Sequence, residues 1–126
     1  MFFKINRIDI HKPSLVPRPG QFVFLCFPRM GITHWHPFSI STYYYNSEQD
    51  KNFFSVHIKA SGDYTHQLVA LAREDPQAIE GGGVRVEGPY GNLVVDPWAY
   101  NQVLIIAGTV VQALFSFFHI PTQLCF

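Results

Sequence analysis

Apolar and polar positions alternate in several short stretches of this chain, the pattern of strands that set one face against a core. Phe53 to Lys59 shows it most cleanly, with Phe54, Val56 and Ile58 on one side and Ser55, His57 and Lys59 on the other. It predicts a half-buried strand whose polar face is available to a ligand. Gln21 to Phe27 is a continuous apolar run bounded by Gly20 and Pro28, which predicts a strand buried on both faces, as in a small closed barrel. Phe2 to Ile10 alternates more loosely, His36 to Thr42 reads as a further extended segment with Pro37 near its start, and Val84 to Glu87 as another strand. Pro13, Pro17, Pro19-Gly20 and Gly81-Gly82-Gly83 punctuate loops, and Gly88-Pro89-Tyr90-Gly91 predicts a tight turn. Only from Thr65 does the spacing become helical, through Leu68, Leu71 and Ala72, with Asp63 or Thr65 placed to cap the first turn and Pro76 to close it. Val103 to Ala107 reads as a buried strand of the parallel-sheet kind, ending at Gly108. The expectation is a mainly β fold with one short helix.

Composition sharpens this. Twelve Phe and six Tyr favour pleated, half-buried surfaces, and 126 residues allow one compact core. The formal net charge is zero and basic residues do not cluster, so the chain lacks the electrostatic footprint of a nucleic-acid binder, and no nucleic-acid partner is expected. Cys26 and Cys125 have no spacing that suggests a disulfide framework or a zinc site. Met1 to Arg7 lacks the apolar core of a secretory signal, which points to a cytosolic setting. Val103 to Ile120 is uncharged and at the threshold length for a membrane span, but Gly108, Thr109, Gln112 and Ser116 interrupt it. A strand followed by an apolar tail is the preferred reading, and that tail is expected to promote aggregation or membrane adhesion.

The candidate chemistry lies in Trp35-His36-Pro37-Phe38-Ser39-Ile40-Ser41, together with Gly20-Gln21-Phe22, His57-Ile58-Lys59, Gly62-Asp63-Tyr64-Thr65 and Gly88-Pro89-Tyr90-Gly91. Each motif is weak alone. In this order they resemble the FAD-binding domain of the ferric-chelate reductase and NADPH oxidase family, within the ferredoxin-reductase-like superfamily. The resemblance covers roughly residues 2 to 108 and implies an antiparallel Greek-key β-barrel. It also implies FAD as cofactor, with NADPH and heme belonging to a complete relative, and a heme-bearing membrane domain or protein as partner, placing the module on the cytosolic face of a membrane.

Physical chemistry gives these residue types their roles. An isoalloxazine ring is flat and apolar with a polar edge, so it needs an aromatic platform and a hydroxyl or backbone donor. Phe38 and Ser39 suit that, and the resemblance implies that Ser39 addresses the redox edge of the flavin, as the catalytic candidate. It implies that His36, beside Pro37, lies towards the ribityl and phosphate portion, although a strand histidine bonded to backbone is an alternative. A pyrophosphate calls for fixed cations and helix amides. Lys59, beside His57 on the polar face, and the turn from Gly62 to Thr65 supply both, with amides around Thr65 and His66 expected to point at the phosphate. Lys at this position cannot make the bidentate fork of Arg. A capped surface helix next to an ordinary strand lysine is the plainer reading. His34 without further spaced ligands makes a poor metal site and is expected to face solvent.

The resemblance fails after Gly108. A dinucleotide turn needs glycine backbone near its phosphates, whereas Thr109-Val110-Val111-Gln112-Ala113 stands there. The expected organisation is therefore a flavin barrel over residues 1–101, its first strand missing, and the start of a truncated NAD(P)-binding domain over 102–126. Function is expected to be that of an FAD module in a membrane oxidoreductase that passes electrons from NADPH through flavin to heme and then to ferric chelates or dioxygen. A non-catalytic barrel fragment with a binding or regulatory role, or a small membrane-anchored protein, are the alternatives.

Overall fold

The computed structural model describes residues 5–80, 83–102 and 104. Its strands β1 (Ile5–Ile10), β2 (Phe22–Cys26), β3 (Trp35–Asn46), β4 (Lys51–Lys59) and β5 (Arg85–Tyr90) form one antiparallel sheet in the order β1-β4-β3-β2-β5. β2, β3 and β4 follow one another as neighbours and β5 returns to lie beside β2, which is a Greek key. The helix α1 (Asp63–Glu74) connects β4 to β5. This is the mainly β architecture with one short helix that the sequence predicts, and it is consistent with a ferredoxin-reductase-type barrel. The two outermost strands are linked by a tie in which Lys12 Nζ, just after β1, donates to the carbonyl of Val86 in β5 at 2.6 Å.

The core sits on the inner face of the curled sheet. Ile10, Val23, Leu25, Ile40, Phe54, Val56 and Ile58 meet there with Leu15, Phe27 and Leu68 of α1. Alternation puts them together: Val23 stands opposite Phe38, Ile40 opposite Val56, and Ile8 opposite Val56 on the other side. Burial of this kind is worth about 25 cal/mol per Å² of apolar surface.

β3 links the two halves of the sheet. Its first half pairs with β2 and its second with β4, and the register shifts between Ile40 and Thr42, leaving Ser41 as an extra residue. Such a bulge sharpens the bend and reverses alternation. His36, Phe38 and Ile40 point inward before it; Tyr43, opposite Phe54, does so after it.

Several expectations are corrected. β3 does not end at Thr42 but continues to Asn46. Gly88-Pro89-Tyr90 is not a tight turn: all three lie in β5, which kinks against β2 where the register shifts between Phe22 and Phe24. β2 is buried on its inner face, while on its outer face only Cys26 is closed off and Phe22 and Phe24 are half-buried. The outer face of β4 is partly closed, because Ser55 is wholly buried. Apart from Leu104, which is exposed and in no strand, the Val103–Ala107 segment and the apolar tail lie outside the described residues, as does the start of the Phe2–Ile10 segment. Among the described residues, no helix is long and apolar enough to cross a membrane.

Candidate functional site

Strand alternation decides which predicted residues share a surface. In β3, Pro37 and Ser39 stand opposite Phe24 and Phe22 of β2 and face outward, both exposed. His36 and Phe38 face inward, where Phe38 packs against the core and His36 stacks on Tyr64 of α1 with ring centroids 3.7 Å apart. The fold thus divides the motif. Ser39 presents its hydroxyl on the outer face; His36 joins β3 to the first turn of the helix. His34 is exposed, as expected.

Around Ser39 the outer face is aromatic. Phe22, Phe24 and Tyr90 surround one another at centroid distances of 5.6, 5.9 and 5.8 Å. Gln21 braces this surface: its side chain accepts from the amide of Arg18 at 2.7 Å and donates to the carbonyl of Gly91 at 2.9 Å. Gly20 is obligatory in that brace, since it has φ +82° and a Cβ would come within 2.6 Å of Leu93. The sequence reading missed the aromatic group because it took β2 as buried throughout, although Phe22 and Phe24 are two residues apart and so share a face.

Further along the outer face lies a polar cluster. The buried Ser41 hydroxyl at the bulge is 2.9 Å from the carbonyl of Ser55 and 2.7 Å from Nδ1 of His57. Ser55 donates to Asp9 at 2.5 Å, and Asp9 also accepts from Nε of Arg7 at 2.8 Å. Burial holds the His57 imidazole below its ordinary pKa; Arg7 directly opposite pushes the same way and Asp9 pushes against it. Lys59, half-buried at the end of β4, faces outward two residues on.

The chain turns from Lys59 into α1 at Gly62. Oγ1 of Thr65 accepts from the amides of Ser61 and Gly62, each at 3.0 Å, and donates to the Gly62 carbonyl. Thr65 therefore builds the turn. The amide of His66 donates to the Gly62 carbonyl at 2.9 Å as the first helical bond, so the expectation that it points at a ligand is corrected. Helix geometry instead leaves the amides of Asp63, Tyr64 and Thr65 without partners inside α1. Asp63 stabilises the positive end of the helix and opposes an incoming anion.

Residues 4–94 match the model of the FAD-binding domain family. The chain is 30% identical over 115 residues to NADPH oxidase 1 of Rattus norvegicus, covering 90% of this chain and 19% of that protein. Ferric reduction oxidase 8, mitochondrial, of Arabidopsis thaliana is 36% identical over 101 residues, 78% of this chain and 14% of its own length. NADPH oxidase 3 of Homo sapiens is 30% identical over 110 residues, 84% of this chain and 18% of its own. The chain belongs to the FAD-binding domain family of ferric reductases and NADPH oxidases. It is an FAD-binding module of that family, and it spans less than a fifth of the length of these relatives.

The start of α1 fits FAD. Gly62 has ordinary extended backbone, φ −131° and ψ 172°, and a Cβ built there meets nothing within 4 Å. Glycine is a favoured N-cap here, and its open surroundings also leave room for a pyrophosphate to approach the helix amides. A half-open cleft of about 730 Å³ lies elsewhere, between β1 and α1, lined by Asn6, Ile8, Leu68, Val69, Ala72 and Ile79 among others, and none of the residues predicted to bind the cofactor lines it. The outer face is exposed at Ser39 and at Gly62 and half-buried at His57 and Lys59, with Ser41 and Ser55 closed off between them.

Proposed function

We propose that this FAD module binds its cofactor along the outer sheet face. Ser39 and the Phe22 and Tyr90 rings take the isoalloxazine end, His57 the central polyol, and Lys59 with the amides of Asp63 to Thr65 the pyrophosphate. Pro37 borders the ring, and His36 and Phe38 support the surface from the inner side. Bound FAD supplies the exchange between two-electron hydride chemistry and single-electron transfer. The observation that carries this reading is the open space at Gly62, beside the amides of the first helical turn, which leaves room for a phosphate there. The exposed Ser39 hydroxyl places a small donor at the face where a hydride donor would approach.

In the whole protein the module would receive electrons from NADPH and pass them to a heme-bearing membrane partner on the cytosolic face, with a ferric chelate or dioxygen as final acceptor. The names of the relatives support that direction of flow. The domain division at residues 101 and 102 belongs to the same proposal. The test is an FAD titration followed by flavin fluorescence, with Ser39→Ala and Lys59→Ala in parallel. Saturable binding weakened by both substitutions is expected. Absence of binding by a folded chain, or binding indifferent to Lys59→Ala, would overturn the site.

A further inference from the structure

The bulge in β3 sets the chemical state of a neighbouring side chain. The Ser41 hydroxyl carries one proton, and the Ser55 carbonyl 2.9 Å away can only accept it. The contact of 2.7 Å between Ser41 Oγ and His57 Nδ1 then needs its hydrogen from the imidazole. Because Ser41 is only 2% exposed, water does not compete for either bond. With Nδ1 taken up at the covered bulge, Nε2 is the ring nitrogen left within reach of solvent, since it is not among the buried side-chain nitrogens that lack a partner. No protein group among the described residues bonds it.

We propose that Ser41 is a positioning residue that holds His57 as the Nδ1–H tautomer, so that Nε2 accepts a hydrogen bond from a hydroxyl of the bound ligand, the ribityl or ribose class of polyol. This rests on the flavin reading above. The surroundings agree with a neutral ring in that role. Arg7 stands directly opposite on β1, and Lys59 lies two residues along the same face, so cations flank His57, with Asp9 already engaged by Arg7 and Ser55. A neutral acceptor between cations suits an uncharged hydroxyl, while phosphate is left to Lys59 and the helix amides. Sequence alone does not reveal the pair, because residues 41 and 57 meet only through the shifted register of β3 on β4.

Ring ¹⁵N chemical shifts of His57, measured on the whole chain at pH 8, read the tautomer directly, and an FAD titration reads its consequence. The wild type should show protonated Nδ1. Ser41→Ala should move the ring towards the Nε2–H form and weaken FAD about three- to tenfold, the worth of one ordinary hydrogen bond. His57→Asn keeps a donor near Ser41 but has no atom at Nε2, and should lose affinity to the same degree. His57→Gln, whose amide reaches the Nε2 position, should retain most of it. An Nε2–H ring in the wild type, or wild-type affinity in His57→Asn, overturns the proposal, and the second of these stands even where Ser41→Ala fails to fold. A folded wild type with the Nδ1–H ring and no FAD binding overturns the flavin reading and the ligand assigned to Nε2. The ring spectrum separates that result from failure of the tautomer.

Discussion

At Gly62 the interests of the fold and of the ligand separate. Alanine can adopt its backbone angles and meets no neighbour. Losing a glycine from the unfolded chain stabilises by about 0.4–1 kcal/mol, and losing it from a helix N-cap costs a comparable amount. Gly62→Ala should therefore leave apo stability within about 0.5 kcal/mol in denaturant titration, yet weaken FAD at least severalfold in fluorescence titration. A matching loss of stability would mean the glycine serves the fold after all. His57 offers a second separation, by pH. Its folded pKa lies below the ordinary value, chiefly through burial, so the unfolded chain binds the proton more readily. Stability carried by the neutral ring is complete above about pH 6.5 and is lost as pH falls from there through the folded pKa. Melting curves from pH 5 to pH 8 should rise with pH more steeply for the wild type than for His57→Gln.

Among the elements, β1 and β4 show which of two adjacent contacts matters. Arg7 and Asp9 form an exposed ion pair, with side chains 48% and 38% exposed, and such pairs contribute about 0.2–1 kcal/mol at most. Asp9 also accepts from the wholly buried Ser55 hydroxyl. Removing it strands a buried donor, at a cost of about 1–3 kcal/mol. Asp9→Ala should accordingly lower the melting temperature clearly more than Arg7→Ala, with amide exchange rising first along β1. Equal effects would show that the ion pair, not the buried hydroxyl, dominates. The elements also show what the sequence could convey. β4 was legible because its alternation is unbroken. β3 was cut short at Thr42 because the bulge at Ser41 inverts which parity faces the core, so Thr42-Tyr43-Tyr44-Tyr45 reads as continuous polarity-ambiguous chain. The kinked end of β5 was taken for a turn because Gly-Pro pairs ordinarily mark one. Local motifs single out Ser39, Lys59 and Gly62 as candidates; the Ser41–His57 pair and the Phe22, Phe24 and Tyr90 group depend on pairing between strands distant in sequence.

For the whole molecule, surface composition is the weak point. The chain has no formal net charge, and beyond β5 it exposes Val94, Val95, Trp98, Tyr100 and Leu104, with Val94 fully accessible. A neutral surface with contiguous apolar groups favours self-association. Val94→Lys with Val95→Glu should raise the soluble fraction at a given concentration without shifting the melting temperature by more than a degree or two, a surface change of about 0.5 kcal/mol. Unchanged light scattering would move the liability to the apolar sequence after residue 104. The tie from Lys12 to the Val86 carbonyl gives the molecule a different kind of exposure. An ammonium held against a strand carbonyl must lose a proton and swing clear before an acylating reagent reaches its nitrogen, so slower acetylation of Lys12 than of exposed Lys51 reads how firmly this one tie is held. Once acetylated, that nitrogen is no longer cationic, and the charge-assisted bond to the Val86 carbonyl is lost.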